Sequence, residues 1–201
     1  MRPLVLIVTV GLLPLATGAA QVGQKAGPKG KKVEFKVHSG YCERADHARA
    51  EQLKAQKEKT LGNVSFLAFT DQDSFDKAFG KTPDKEDLNN FLPNGEAKGK
   101  KPNLLPKDAF DKKIVVATTG RGPNISAYRV VKVTADSDTL YVQYLQQSAF
   151  AGNNRVWSSP LILSVDKGPY TSVVFILGNK KYGSAKIEQD KDKDKEKGKE
   201  K

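Results

Sequence analysis

A cysteine and two histidines lie close together in the first quarter of the chain. Cys42 stands four residues after His38 and five before His47, with Glu43 and Asp46 between them. These side-chain types could form a thiolate–imidazole nucleophile or bind a metal ion. Either site needs a firm scaffold, whereas the residues after Cys42 are mostly polar or alanine. We therefore expect Cys42 to end a strand and His47 to face solvent on a helix.

The wider sequence argues against catalysis. It contains no HExxH metalloprotease motif, no GxSxG nucleophile motif and no phosphate-binding loop. One Cys and two His cannot supply four soft ligands for a structural zinc ion, and a single Cys cannot form an internal disulfide. We predict no catalytic residue, no metal ligand and no bound cofactor, which favours a binding protein over an enzyme.

The segment 148–159 has a composition typical of a binding loop. It holds Trp157, the only Trp of the chain, and Arg155, one of six Arg. Trp and Arg are the residue types that most often anchor protein interfaces. The alternative is that Trp157 packs at the edge of the core and that residues 152–154 form only a turn. Both interpretations remain open at the sequence level.

A second loop, 119–126, leaves a strand that we expect to lie beside the strand preceding segment 148–159. This arrangement would bring both loops to one end of a sheet. The predicted partner-binding residues are Arg121, Asn124, Tyr128, Arg155 and Trp157. The triplets at Asn63 and Asn124 match the glycosylation sequon, and we assign them no role.

The elements that must position these residues are mostly strands. Alternation of apolar and polar residues, or short apolar runs bounded by turn residues, predicts strands at 32–38, 64–69, 113–119, 126–134, 139–147, 161–165, 172–177 and 181–186. In the first of these, alternation places Val37 on the buried face and His38 on the polar face. The short links predict antiparallel neighbours, since parallel strands need long crossovers.

Two or three helices accompany the strands. Thr70-Asp71 caps a helix whose Phe75, Ala78 and Phe79 share one face before Gly80 ends it. A weaker helix follows Thr82-Pro83, and the stretch 43–59 predicts an exposed helix with little face to dock. Residues 93–106 form a surface excursion rich in Pro, Gly and Lys. The fold class is therefore α+β, with a mainly antiparallel sheet and one or two short packed helices.

The two ends of the chain differ from its middle. Residues 1–20 carry an early Arg, an apolar stretch and small residues up to Ala20, which predicts a signal peptide cleaved after Ala20. A flexible Gly/Lys leader follows at 21–31, the globular domain spans 32–188, and the Lys/Asp/Glu tail 189–201 is expected to be disordered. We expect export to the periplasm, cell surface or medium, with no transmembrane anchor in the mature chain.

The chain is basic, with a formal net charge of +11, and 28 of its 34 basic residues are Lys. The Lys are scattered through loops and termini without an accompanying nucleic-acid-binding motif, so we predict no specific nucleic-acid partner. Electrostatic attachment to an acidic polymer of the cell envelope is one alternative function, and such attachment would be sensitive to salt.

An ordered series of core and turn positions runs from Phe110 to Phe175. It includes Gly120 and Pro123, the strand Ala127-Tyr128-Arg-Val-Val-Lys-Val133, and Ser159-Pro160. The series resembles the C-terminal domain of the PrcB family, named for a subunit of a secreted bacterial protease complex. The resemblance implies a non-catalytic module that assembles with another secreted or envelope protein, with a protease as the partner class.

The chain departs from the PrcB pattern at two places. Ser126-Ala127 replaces a Gly pair before Tyr128, and Leu161 stands where an aromatic residue is usual after Pro160. Side chains in place of the Gly pair would obstruct close backbone approach by a partner. The loops 120–128 and 148–159 are also similar to those of chagasin-like cysteine-protease inhibitors, which implies protease inhibition as a further alternative.

Overall fold

The computed structural model describes residues 30–58, 60, 62–82, 102–150 and 156–188, without the side chains of residues 149 and 150. In these residues the chain forms eleven strands and three helices. The strands are β1 Lys31–Lys32, β2 Phe35–His38, β3 Tyr41–Glu43, β4 Val64–Phe69, β5 Phe79–Lys81, β6 Lys113–Gly122, β7 Asn124–Asp136, β8 Thr139–Phe150, β9 Trp157–Asp166, β10 Ser172–Leu177 and β11 Lys180–Lys186. The helices are α1 Ala45–Glu58, α2 Gln72–Ala78 and α3 Ala109–Lys112. The α+β class is confirmed.

The strands form two large sheets and a small one. The orders are β1-β7-β8-β10-β11, β2-β9-β6-β4 and β3-β5. All paired strands are antiparallel except β8 and β10, which are parallel with Val142 opposite Phe175. Between β8 and β10 the chain passes through β9, which belongs to the other large sheet. It then returns to the five-stranded sheet with β10 running in the same direction as β8. The expectation of antiparallel neighbours fails for this pair.

The main core lies between the two large sheets. Alternate residues of β8 point into it, namely Leu140, Val142 and Tyr144, and they meet Leu163 of β9 and Phe175 of β10. Successive side chains of a strand point to opposite faces, so one face of the five-stranded sheet supplies this core.

The central strand β6 of the four-stranded sheet is buried on both faces. Residues Ile114 to Thr119 of β6 are all buried, without alternation. The second face contributes to the Phe75 cluster, which contains the buried rings of Phe69, Phe75, Phe79 and Phe110. The rings of Phe75 and Phe79 lie 5.3 Å apart. The predicted burial of Phe75, Ala78 and Phe79 is confirmed, although Phe79 lies in β5 because α2 ends at Ala78.

The predicted cap of α2 is also present. The Asp71 side chain accepts a hydrogen bond from the Ser74 amide at 2.8 Å. This bond satisfies one of the amide groups that the first helical turn leaves unpaired. Helix α1 forms within the predicted stretch 43–59, with Ala55 as its buried residue.

The predicted strand 32–38 is divided between sheets. β1 joins the five-stranded sheet, whereas β2 joins the four-stranded one, and Lys31 of the predicted leader already lies in β1. The predicted faces are reversed at the end of β2, where Val37 is 41% exposed and His38 only 4%. His38 is accommodated because its Nδ1 donates to the Asn103 carbonyl at 3.2 Å and its Nε2 bonds Ser164 Oγ at 2.8 Å.

Several strands are longer than predicted. β6 continues to Gly122, β7 begins at Asn124, and β9 begins at Trp157, so most of the described part of the two predicted loops is strand. The signal peptide 1–20, nearly all of the leader, the helix after Pro83, most of the excursion 93–106, Arg155 and the tail 189–201 lie outside the described residues. No helix within the described ranges is long and apolar enough to cross a membrane.

Candidate functional site

The ends of β6, β7, β8 and β9 meet at one end of the two large sheets. Gly122 pairs with Trp157, and Asn124 pairs with Phe150. A single residue, Pro123, links β6 to β7, so the chain passes from one sheet to the other without a flexible loop. This end of the molecule therefore contains the predicted residues Arg121, Asn124 and Tyr128 on a firm scaffold.

Arg121 lies inside the protein at this end. Its Nε donates to Glu43 Oε2 at 2.8 Å, its Nη2 also donates to Glu43 Oε1, and only 3% of its side chain is exposed. The same Nη2 donates to Ser65 Oγ at 2.8 Å. The guanidinium is thus committed to internal groups, and the structure places it away from the partner-contact position predicted from the sequence.

Three elements converge on the carboxylate of Glu43. His47 Nδ1 lies 2.9 Å from Oε1, and Ser158 Oγ donates to Oε2 at 2.8 Å. Burial alone would raise the pKa of Glu43, but the hydrogen bonds from His47, Arg121 and Ser158 outweigh it and lower the pKa. Because Ser158 donates to the carboxylate and not to the imidazole, these residues do not form a nucleophile–base pair. The Glu43 cluster joins α1 and β3 to β6 and β9.

On the opposite face of β6, the inward-facing side chains become smaller and more polar toward this end. The series is Ile114, Val116, Thr118, Gly120 and Gly122 on β6; Val130, Tyr128, Ser126 and Asn124 on β7; and Leu140, Val142, Tyr144, Gln146 and Ser148 on β8. An apolar core therefore gives way to an open pocket of about 210 Å³, which we call the tyrosine pocket.

The buried Tyr144 and the partly buried Tyr128 form the inner part of the tyrosine pocket. The rings of Tyr128 and Tyr144 lie 5.8 Å apart in an edge-to-face arrangement. Burial raises the pKa of Tyr128 to about 12 and raises that of Tyr144 as well. A Cβ atom at Gly120 would lie 2.9 Å from the Tyr128 hydroxyl, so Gly at this position gives the hydroxyl its space.

A third tyrosine, Tyr182 of β11, stands at the rim with 37% of its surface exposed. Its ring meets Phe66 edge-to-face at 5.7 Å, and Phe66 in turn lies 5.4 Å from Phe175 in the core. Gly183 leaves room for the Phe66 ring, which a Cβ atom there would overlap. The exposed ring is thus fixed by contacts that lead into the core.

Hydroxyl and amide groups fill the polar side of the pocket. Gln146 Nε2 donates to Ser126 Oγ at 2.9 Å, and Ser126 Oγ lies 3.0 Å from Ser148 Oγ. Asn63 and Asn124, the two sequon residues, are exposed and line the same pocket. Sequence reasoning missed Gln146, Tyr144 and Tyr182. The change from Leu140 and Val142 to polar residues at alternate positions of β8 was a signal that could have indicated the first two.

A second, mostly apolar pocket of about 170 Å³ lies between β2, β7 and β9. It shares Ser126 and Tyr128 with the tyrosine pocket. The Ser126 amide donates to Ser159 Oγ at 3.0 Å, which ties β7 to β9 between the two pockets. Ser126 therefore contributes its backbone amide to this link and its hydroxyl to the polar side of the tyrosine pocket.

Trp157 and Cys42 are not among the described lining residues of the tyrosine pocket. Trp157 is half-buried at the start of β9, opposite Gly122, and Arg155 is outside the described residues. Cys42 Sγ lies 3.7 Å from the Gly80 carbonyl oxygen, whereas the imidazoles of His38 and His47 bond other groups. Among the described residues, no cluster of three His, Cys, Asp or Glu side chains could hold a metal ion.

No family model, curated protein or solved structure matches this chain.

Proposed function

We propose that this protein is an exported, non-catalytic binding module whose binding site is the tyrosine pocket and its rim. The observation that carries the proposal is the inward-facing series of β6, β7 and β8, which turns small and polar at one end of the sheets. Because the inward-facing side chains become polar at this end of β6, β7 and β8, the pocket is a concave surface with hydrogen-bonding groups in fixed positions. Binding sites have these properties.

The chemistry of the pocket supports binding rather than catalysis. With a pKa of about 12, the Tyr128 hydroxyl stays protonated at neutral pH and acts as a hydrogen-bonding group. Arg121, the one charged residue in the part of the lining that the structure describes, is paired with Glu43. The pocket thus offers orientation and hydrogen bonds without an activated acid, base or nucleophile.

The partner class follows from the sequence resemblance and the predicted signal peptide. A PrcB-like module would bind another secreted or envelope protein and serve as an accessory or assembly subunit of a protease. Adding the purified protein to panels of cysteine and serine proteases separates this role from the inhibitor alternative. Tight inhibition would favour the inhibitor, and unchanged activity with stable complex formation would favour the subunit.

The direct test uses Gly122, whose substituents would enter open space. A Cβ atom there would meet nothing within 4 Å, and alternation places it on the pocket side of β6. We expect Gly122→Leu to abolish capture of the partner from the native culture fluid or envelope extract with an unchanged melting temperature. Gly122→Ala, the matched control, should retain capture. Full capture by Gly122→Leu would refute the proposed site.

A basic depression favours electrostatic attachment as a second candidate function. Arg44, Lys81 and Lys107 line a depression of about 520 Å³, and Asp76 is the one acidic residue among its described lining residues. Arg44 Nε donates to the Asp76 carbonyl oxygen at 2.6 Å, which fixes the guanidinium beside the lysines. Binding of the protein to any polyanion, with loss of that binding at high salt, would favour this function over the first.

A further inference from the structure

We infer that the tyrosine pocket binds a neutral sugar ring, so that the partner recognised at this end of the protein presents a glycan. The inference rests on the proposed function because it assumes that this pocket is the binding site. It goes further by naming the chemical class of the ligand from the charge, the hydrogen-bonding groups and the shape of the pocket.

The charge of the pocket selects a neutral ligand. Among the residues that the structure describes, the lining contains no Asp, Glu or Lys, and its one Arg, Arg121, has only 3% of its side chain exposed and is neutralised by Glu43. A charged ligand would lose hydration in the pocket without gaining a counter-ion, which is unfavourable. Acidic peptides and phosphorylated ligands are therefore disfavoured at this site.

The polar groups of the lining suit a ligand that carries several hydroxyls. Amide side chains at Asn63 and Asn124 each offer both a donor and an acceptor, and the Tyr182 hydroxyl offers both as well. The Gln146 amide donates to Ser126 and Ser148, so its carbonyl oxygen remains as an acceptor. The side chains of Asn63, Asn124 and Tyr182 are exposed and therefore accessible to a ligand. Sugar hydroxyls, which also donate and accept, could pair with all of them.

The aromatic rim suits the apolar face of a sugar ring. Tyr182 presents an exposed ring that Phe66 fixes from behind. An aromatic face held in place can pack against the C–H groups of a sugar ring without the entropy cost of ordering a mobile side chain. Hydrogen-bonding groups on one side and an aromatic surface on the other match the two kinds of surface of a pyranose.

The volume of the tyrosine pocket fits one sugar ring. The pocket volume of about 210 Å³ lies below the range of roughly 300–1,000 Å³ that is usual for drug-sized ligands. Gly122 keeps one wall open, since a Cβ atom there would have no neighbour within 4 Å. The site therefore accommodates one sugar unit, with the remainder of a glycan extending into solvent.

The test titrates the full-length, isotopically labelled protein with four monosaccharides and follows amide signals by NMR. The probes are glucose and N-acetylglucosamine, which are neutral, glucuronic acid, which is anionic, and glucosamine, which is cationic. We expect the neutral sugars to shift the Gly122 backbone amide and the Asn124 and Gln146 side-chain amides, with a dissociation constant of about 1 mM or tighter. The two charged sugars should bind at least about tenfold more weakly.

Variants of the rim provide the second measurement. We expect Tyr182→Ala to weaken binding of the neutral sugars about tenfold, while Tyr182→Phe, which keeps the ring, loses less. Gly122→Leu should abolish binding. Tyr141→Ala is the matched control, because Tyr141 lies between the core residues Leu140 and Val142 and so faces away from the pocket.

The outcomes separate this inference from the proposed function. If Gly122→Leu abolishes partner capture but neutral sugars leave the three amide signals unshifted, the sugar inference is wrong. The proposed function would then stand, and the pocket would receive a protein side chain of the partner. Equal binding of glucuronic acid would also overturn the inference. If Gly122→Leu changes neither partner capture nor the response to sugars, both proposals fail.

Discussion

The carboxylate of Glu43 connects residues that are distant in sequence. It accepts hydrogen bonds from Arg121 of β6 and Ser158 of β9 and lies 2.9 Å from His47 Nδ1 of α1. None of the Glu43 side chain is exposed, so its charge is stable only with these partners. The cluster gives Arg121 a structural role and separates it from the exposed residues of the tyrosine pocket.

At the residue scale, we predict that Glu43→Gln destabilises the protein by about 3–5 kcal/mol, because it leaves the buried Arg121 charge uncompensated. The measurement is the free energy of unfolding by urea. Glu34→Gln, an exposed substitution of the same type, is the control and should change stability by less than about 0.5 kcal/mol. Equal stability of the two variants would show that the Arg121–Glu43 pair contributes little.

At the scale of elements, β2 is an edge strand that depends on His38. The strand pairs only with β9 in the described part of the chain, and His38 adds side-chain bonds to Ser164 and to the Asn103 carbonyl. Burial is the largest effect on this imidazole and lowers its pKa below 6.5. The neutral form, with Nδ1 protonated, therefore maintains the contacts of β2.

This pKa shift predicts a pH-dependent stability. Below pH 6.5 the unfolded chain binds a proton at His38 before the folded chain does, so stability is complete above that pH and falls as pH decreases toward the folded-state pKa. We expect the urea midpoint of the native protein to decrease between pH 7 and 5. The decrease should be smaller in His38→Gln. The same pH slope in both proteins would contradict the prediction.

At the scale of the whole molecule, the four-stranded sheet belongs to two cores. Ile114 and Val116 face the core shared with the five-stranded sheet, whereas Val115 and Ala117 face the Phe75 cluster. Consecutive residues of β6 thus link both cores, and loss of either should unfold the shared sheet. The tyrosine pocket lies at the end of the first core, so its shape depends on the whole arrangement.

This arrangement predicts a single cooperative unfolding transition. We expect Leu140→Ala in the first core to cost about 2–5 kcal/mol and Phe75→Ala in the second to cost about 3–5 kcal/mol. Circular dichroism and Trp157 fluorescence should report coincident transitions in both variants. Val131→Ala, at an exposed position, is the control. Separate transitions for the two probes would show that the cores unfold independently.

Local patterns in the sequence were sufficient for much of the secondary structure. The apolar runs of β4 and β10 lie within their predicted bounds, and Asp71 caps α2 as expected. These features depend on the period of apolar residues and on side-chain bonds to nearby backbone, which span only a few positions. For the site, the expectation that segments 119–126 and 148–159 meet at one end of the sheets agrees with the pairing of Gly122 with Trp157 and of Asn124 with Phe150.

Tertiary structure alone decided the remaining features, because each depends on pairing between distant residues. Nothing in the sequence around Arg121 shows whether it is a surface anchor or the buried partner of Glu43, because Glu43 lies 78 positions away. His38 is buried against the local alternation because Ser164, 126 positions away, bonds its ring. Tyr182 reaches the tyrosine pocket because β11 is the edge strand next to β10 and contacts β4 of the other large sheet. Alternation along one strand determines which side chains share a face, but the pairing of strands determines what that face meets.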